Sequence, residues 1–280
     1  SLNIILGYGG MFHMGHAAFY AIDAYTTAII NTAWGVPVLW LMPLAGLAAG
    51  LFALVVARPI IHLRGDYLLI VTIGMVEIVR IALINNVFGI TGGANGIFGI
   101  SSPSVFGFQI NGIVAPAHYF YLVTAFLAIT IVLFYLLENS RFGRALKFLC
   151  SDEVAAEGSG INTAGYKLAA FVIGAVWAGM TGTLYASKMG FISPESFSFW
   201  ESVVMFMIVI LGGSGNIAGV LLGAALIIGL PEIFQGLQQY RLLIFGLALM
   251  IMMIFRPQGI LPPKPRSYPI DKLEKNEVSL

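Results

Sequence analysis

Four groups of polar residues interrupt an otherwise oily chain, and each could support a different chemistry. Asp23 stands inside an apolar run, where a carboxylate costs a few kcal/mol unless it faces water or a partner. Ionised, it could meet an ammonium group; otherwise it is a carboxylate near a helix end, solvated or locally paired. Glu77 and Arg80 in "GMVEIVR" are three apart, so on a helix they share a face and can pair. Such a pair either neutralises two charges in apolar surroundings or contacts a polar cargo. His13 and His16 would also share a helix face, but a metal site needs further ligands that nothing supplies, which leaves capping or packing. The fourth group is the stretch 141–162, "RFGRALKFLCSDEVAAEGSGIN", which gathers three cations and three acids.

Glycine-rich stretches offer a different resource, bared backbone. "TGGANG" (91–96, with Gly92, Gly93 and Asn95), "GGSGN" (212–216, with Gly212, Gly213 and Asn216) and "MTGT" (180–183) could hold the carboxylate and ammonium of an amino acid through free N–H and C=O groups of broken helices. Close helix packing through small residues is the competing reading, and it is the better one for "GAVWAG" (174–179). An enzyme would need a nucleophile–base pair or a metal constellation. The chain has no HExxH, no GxSxG and no cluster of His and Asp, and the lone Cys150 excludes an internal disulfide framework. No cofactor is implied.

The elements that must position these residues follow from composition. Of 280 residues, 59% are apolar and only 10% charged, and the mean hydropathy is +0.91. That places the chain in a lipid bilayer. Runs such as "YLVTAFLAITIVLFYLL" do not alternate as barrel strands would, so the expected fold class is an all-α integral membrane protein, a polytopic helical bundle. Spans are predicted near 16–33, 38–57, 67–86, 118–137, 168–187 and 240–255, with a Gly-split pair at 202–230. A net charge of +1 gives no field that would draw nucleic acid.

Eleven of the fourteen Lys and Arg residues fall into three groups that belong on the cytoplasmic side: Arg58 and Arg64; Arg141, Arg144, Lys147 and Lys167; and Arg256, Lys264, Arg266, Lys272 and Lys275. Residues 86–117 contain no charged side chain and suit the opposite side. Counting crossings forward, 201–231 must go in and come back with "GGSGN" at its turn. Its arms of about 10–14 residues are short for full crossings, which favours a broken or re-entrant hairpin. Residues 1–255 then form one transmembrane domain including the loop 138–167, and 256–280 a Pro-rich, charged tail on the cytoplasmic face, extended or disordered.

Within that loop Arg141, Arg144 and Lys147 line one side of a helix, with Leu146, Leu149 and Cys150 on another. Ser151 can cap a second helix whose first turn carries Asp152 and Glu153. In that helix Val154, Gly158 and Ile161 make a small apolar face, and Gly160 or Asn162 ends it. A short helix of this kind suits a groove in another protein, or is a solvated loop.

"EVAAEGSGIN" resembles the EAA-type loop of ABC importer permeases. With "GYGGMFHMGHAAFYAIDAY" (7–25), "HLRGDYLLIVTIGMVEIVR" (62–80), "TGGANGI" (91–97), "KLAAFVIGAVWAGMTGTLYA" (167–186), "GFISPESFSFWESVVMFMIVILGGSGNIAGVLLGA" (190–224) and "FRPQGIL" (255–261), nearly the whole chain is similar to the branched-chain amino acid ABC permease family, LivM type. It departs in carrying His13 where the family usually has Ser, and Asp23 where it usually has Gly. The resemblance implies a permease subunit in a bacterial inner membrane that passes leucine, isoleucine or valine, with urea or another small amide as the alternative cargo. It also implies partners: a second homologous permease subunit, two cytoplasmic ATPase subunits and an extracytoplasmic substrate-binding protein. Arg144, Asp152, Glu153, Ala155, Ala156, Gly158 and Ile161 would then couple to the ATPases, while Asp23, Glu77 and the glycine stretches would line the substrate path.

Overall fold

Small residues recur along two stretches of the chain, and they set the architecture. A computed structural model describes residues 1–63, 65–105, 108–109, 116–229, 241–256 and 258–262. In α2 (Val38–Ile60) the buried stripe includes Ala45, Gly46, Ala49, Gly50, Ala53 and Ala57. In α7 (Thr163–Met189) it includes Ala170, Gly174, Ala175, Ala178, Gly179, Gly182 and Ala186. Such stripes let backbones approach closely, so that van der Waals packing replaces the hydrophobic force that lipid cannot supply between helices. The α2–α7 pairing is the most extensive among the described elements, and α1 (His16–Trp34) packs on both. "GAVWAG" does pack: a Cβ on Gly179 would lie 2.9 Å from the Ala49 side chain, and one on Gly174 would lie 2.8 Å from that of Ile5.

Around this three-helix core stand α3 (Asp66–Ile84), α4 (Pro116–Asn139), the loop helices α5 (Arg141–Ser151) and α6 (Glu153–Gly158), then α8 (Phe199–Gly212), α9 (Ile217–Ala224) and α10 (Arg241–Phe255). The predicted spans correspond to these helices to within a few residues at each end. Five of the described elements are long and apolar enough to cross a membrane: 38–60, 66–84, 116–139, 163–189 and 194–212. α1 has the length, but its window carries His16, Asp23, Thr26, Thr27 and Asn31. Those polar side chains are tolerable because α1 is the helix most enclosed by protein, with Asp23, Thr27 and Asn31 all buried.

The hairpin expected at 202–230 is formed by α8 and α9, and a π-helical turn (Ala225–Gly229) continues the second arm. Its bend, Gly213–Asn216, is closed by the residues after α10: Ile260 N–H donates to the Leu211 carbonyl (3.0 Å) and Leu261 N–H to that of Gly212 (3.1 Å). Gly213 (φ +114°) and Gly259 (φ +85°) lie back to back here, in conformations only glycine adopts readily. The start of the proposed tail, 258–262, is therefore a packed part of the bundle. Residues 263–280, on which most of the tail reading falls, and Arg64 lie outside the described residues.

The chain also has a short broken element. A π-helical turn (Ile4–Tyr8) precedes residues 10–15, which are not helical, and α1 starts only at His16. Side chains of neighbouring helices take up the bared backbone: Met14 N–H donates to Thr72 Oγ1 (3.2 Å) and Ala17 N–H to Ser202 Oγ (2.9 Å). At the end of the bundle away from Glu138 and Lys147, a two-residue ladder pairs β1 (Ile97–Phe98) with β4 (Phe191–Ile192), and a second pairs β2 (Ser104–Val105) with β3 (Phe108–Gln109).

Candidate functional site

Asp23 lies where α1, α2 and α7 cross, with no exposed surface. Glycines make room for it. A Cβ on Gly182 would lie 2.6 Å from the Tyr20 carbonyl and 2.8 Å from Asp23 Oδ2. Thr183 Oγ1 donates to Asp23 Oδ2 at 2.9 Å, and Thr27, 2.8 Å from Thr183, donates in turn to the Thr183 hydroxyl. Asp23 Oδ1 has no hydrogen-bond partner among the described residues. A buried carboxyl group with one satisfied oxygen is expensive to maintain, so the site is poised to accept a donor. Tyr20 stacks its edge toward Tyr185 and Phe197, one helical turn beyond. The cleft of about 630 Å³ between α4 and α7 is lined by Tyr119, Phe126, Trp177, Thr181 and Lys188 among others, but not by Asp23.

His13 and His16 do not share a helix face, because the helix begins only at His16. His13 stacks on Phe19 (5.5 Å between centroids), meets Phe171 edge-on (4.7 Å), and leaves both ring nitrogens without hydrogen-bond partners among the described residues. His16 Nε2 bonds Ser1 Oγ at 2.7 Å. Among the described residues no three His, Cys, Asp or Glu side chains converge as a metal site would require.

Glu77 and Arg80 do pair, at 2.9 Å, and the guanidinium reaches a second carboxylate, Glu195, at 3.1 Å. Glu195 belongs to the short turn before α8 (Pro194–Phe197), so the triad ties α3 to that turn. The "TGGANG" stretch is a folded cap on the end of α3. Asn86 Oδ1 accepts from the N–H groups of Thr91 (2.9 Å) and Gly92 (3.1 Å), and Asn95 is exposed. Gly93 is buried. In "GGSGN" the polar backbone is likewise engaged: Gly215 N–H donates to Asn3 Oδ1 (2.8 Å), and Asn216 accepts from Ala218 N–H (3.0 Å) while donating to the Leu261 carbonyl (3.2 Å). The structure thus places Asp23, the Glu77 triad and Gly212–Asn216 in three separate places.

The loop residues gather at one end. Lys147 Nζ lies 2.6 Å from Glu138 Oε1, and the Tyr8 hydroxyl donates to Oε2 of the same carboxylate at 2.9 Å. Arg144 donates to the Asn139 carbonyl, 2.7 Å away. Leu146 and Leu149 are buried against the bundle, whereas Cys150 is exposed. Asp152, not Ser151, caps α6 by accepting from Ala155 N–H at 3.0 Å. The reason is that Ser151 still belongs to α5 and turns its hydroxyl back to the Lys147 carbonyl, 3.0 Å away. Within α6 the faces differ from the expected stripe. Ala156 is fully buried, Val154 is 70% exposed, and Gly158 has open space around its Cβ position. Ala156 therefore seats the helix instead of offering a surface. Glu153 and Lys167 meet at 2.6 Å, beside a polar pocket of about 260 Å³ bordered also by His62, Glu157 and Ile161.

The family model described as "Branched-chain amino acid transport system / permease component" matches residues 1–255. The chain belongs to that family. Among permeases of the family, the high-affinity branched-chain amino acid transport system permease proteins LivM of Salmonella typhimurium and Escherichia coli are each 39% identical to it over 281 residues, covering 93% of this chain and 66% of theirs. The chain thus spans just under two thirds of the length of these curated relatives. The probable LivM of Methanocaldococcus jannaschii is 27% identical over 299 residues, covering 99% of this chain and 84% of the relative. No solved structure matches. Family membership and the apolar helices make the chain a multi-pass membrane protein of a branched-chain amino acid permease family.

Sequence reasoning missed three members of this permease's polar sites. Thr183 was readable in "MTGT" only as a glycine-rich stretch, Glu195 follows a Pro in an apparent loop, and Glu138 ends a long apolar run. Only their partners in space give them meaning.

Proposed function

We propose that this permease is the membrane-spanning subunit of an ATP-binding-cassette importer in a bacterial inner membrane, with its carboxyl terminus in the cytoplasm. It passes branched-chain amino acids delivered by an extracytoplasmic binding protein. A second homologous permease subunit completes the path, and two ATPase subunits supply the energy. One observation carries the reading: α6 is a short helix seated on the bundle by Ala156, capped by Asp152, and it offers Val154 and Gly158 outward at the cation-rich end. That is the geometry of a helix that enters a partner's groove. ATP-driven closure of the ATPases would move this helix and tilt the spans, so that one mouth closes as the other opens.

Asp23, with its unpartnered oxygen, is the candidate contact for the cargo's ammonium group, and Glu77, paired with Arg80, is a second candidate for the substrate path. The glycine stretches 91–96 and 212–216 belong to the substrate path in this reading. The departures at His13 and Asp23 keep a second cargo in view, urea or another small amide. Uptake by proteoliposomes holding all subunits decides between them. Leucine and valine should compete with radiolabelled leucine and urea should not; competition by urea alone would replace the cargo, and Val154→Arg copurifying normally with the ATPases would remove the docking role of α6.

A further inference from the structure

Lys167 stands at the base of α7 and is only 7% exposed. Lysine is almost never buried unless paired, and its partner here is Glu153, the first residue of α6, at 2.6 Å. Chain connectivity between the two helices is a turn, residues 159–162, in which Gly160 adopts φ +79° and Asn162 caps α7. A turn of this kind can bend without moving the helix that follows. The ion pair cannot: Lys167 is buried and Glu153 half-buried, and moving the carboxylate away would leave the ammonium in a poorly solvating place. Further along α7, its small-residue stripe meets α2, and Thr183 holds Asp23 of α1. Whatever displaces Glu153 thus acts on the helix around which the core is assembled.

We propose that the Glu153–Lys167 pair is the strut through which displacement of α6 is delivered to α7, and so to the crossing at Asp23. Both are positioning residues. The inference rests on the reading that α6 docks on an ATPase subunit, and it adds which contact carries the motion inward. Without the strut, α6 would still dock and ATP would still be hydrolysed, but the turn at Gly160 would absorb the push.

The test uses the complete complex in proteoliposomes, with radiolabelled leucine and its binding protein, and reads leucine transported per ATP hydrolysed. In Lys167→Met the ATPase subunits should still copurify and basal hydrolysis should continue, while the transport-to-hydrolysis ratio falls about tenfold, and Glu153→Gln should lower that ratio to a similar degree. The double reversal E153K/K167E should recover most of that loss. A merely structural pair would lower yield and thermal stability without separating hydrolysis from transport. Glu153 is the more exposed partner, so Glu153→Gln keeps the test valid if Lys167→Met does not fold. A wild-type ratio in the single variants, or a double reversal no better than they are, overturns the strut alone. ATPase subunits that remain bound to Val154→Arg overturn the docking reading, and the strut with it.

Discussion

Gly182→Ala tests whether the α1–α7 crossing is as tight as its geometry implies. The added methyl would stand 2.6 Å from the Tyr20 carbonyl oxygen, 2.8 Å from Asp23 Oδ2 and 3.1 Å from the Ala24 nitrogen. Two of these three neighbours are backbone and cannot rotate away. Relief requires α1 and α7 to part by roughly 0.5–1 Å, and overpacking of this kind typically costs about 1–3 kcal/mol. Separation by that amount also stretches the Thr183–Asp23 hydrogen bond, now 2.9 Å, toward or beyond its limit. Leaving both carboxyl oxygens of Asp23 unsatisfied would add about 1–3 kcal/mol. The sum, roughly 2–6 kcal/mol, is a large share of the stability of an ordinary domain. Thermal unfolding of the purified permease in detergent should show a midpoint several degrees lower for Gly182→Ala, while Gly158→Ala, where the new methyl meets open space, should leave it unchanged. Equal midpoints for the two variants would refute the close-crossing argument.

Other outcomes follow from the same geometry. Asp23→Asn preserves the acceptor for Thr183, so the fold should hold while leucine uptake falls; wild-type uptake kinetics would remove Asp23 from the path. Asn216→Ala deletes a helix cap and the bond to the Leu261 carbonyl, and should destabilise by about 1–2 kcal/mol in thermal unfolding. Gly158→Glu should abolish copurification with the ATPase subunits while the unfolding midpoint stays put. Cys150 is the chain's lone cysteine, so a membrane-impermeant maleimide should label the chain in inside-out vesicles and not in right-side-out ones. The residue is exposed, but its sulfur packs against Gly10, and this partial desolvation raises the thiol pKa; little thiolate forms at neutral pH, and labelling should speed up as the pH is raised toward that pKa.

How much of this was legible beforehand depends on the range of the interactions involved. Helices such as 38–60 and 116–139 declare themselves through length and hydropathy alone, because a bilayer imposes both. The hairpin bend at Gly213 followed from a count of crossings that expected Arg256 and Lys147 on one side. Local chemistry misled at two points. Ser151 looks like a cap, but the preceding helix claims it, and the three-residue spacing of His13 and His16 presumes a helix that the broken segment 10–15 interrupts. The polar sites were the least readable part. Asp23 is conspicuous in sequence, yet its hydrogen-bond donor is 160 residues away, and no pattern in either segment announces the other.

The backbone bonds from Ile260 and Leu261 to the bend at Leu211–Gly212 fix an order of events during biosynthesis. The ribosome releases α8 and α9 well before residues 258–262 exist, so the hairpin must wait in the translocon or the bilayer with carbonyls unmet until the last helix has been inserted. A premature stop shortly after Phe255 would therefore leave every described helix in place and still yield an unfinished protein, a ready target for membrane quality-control proteases.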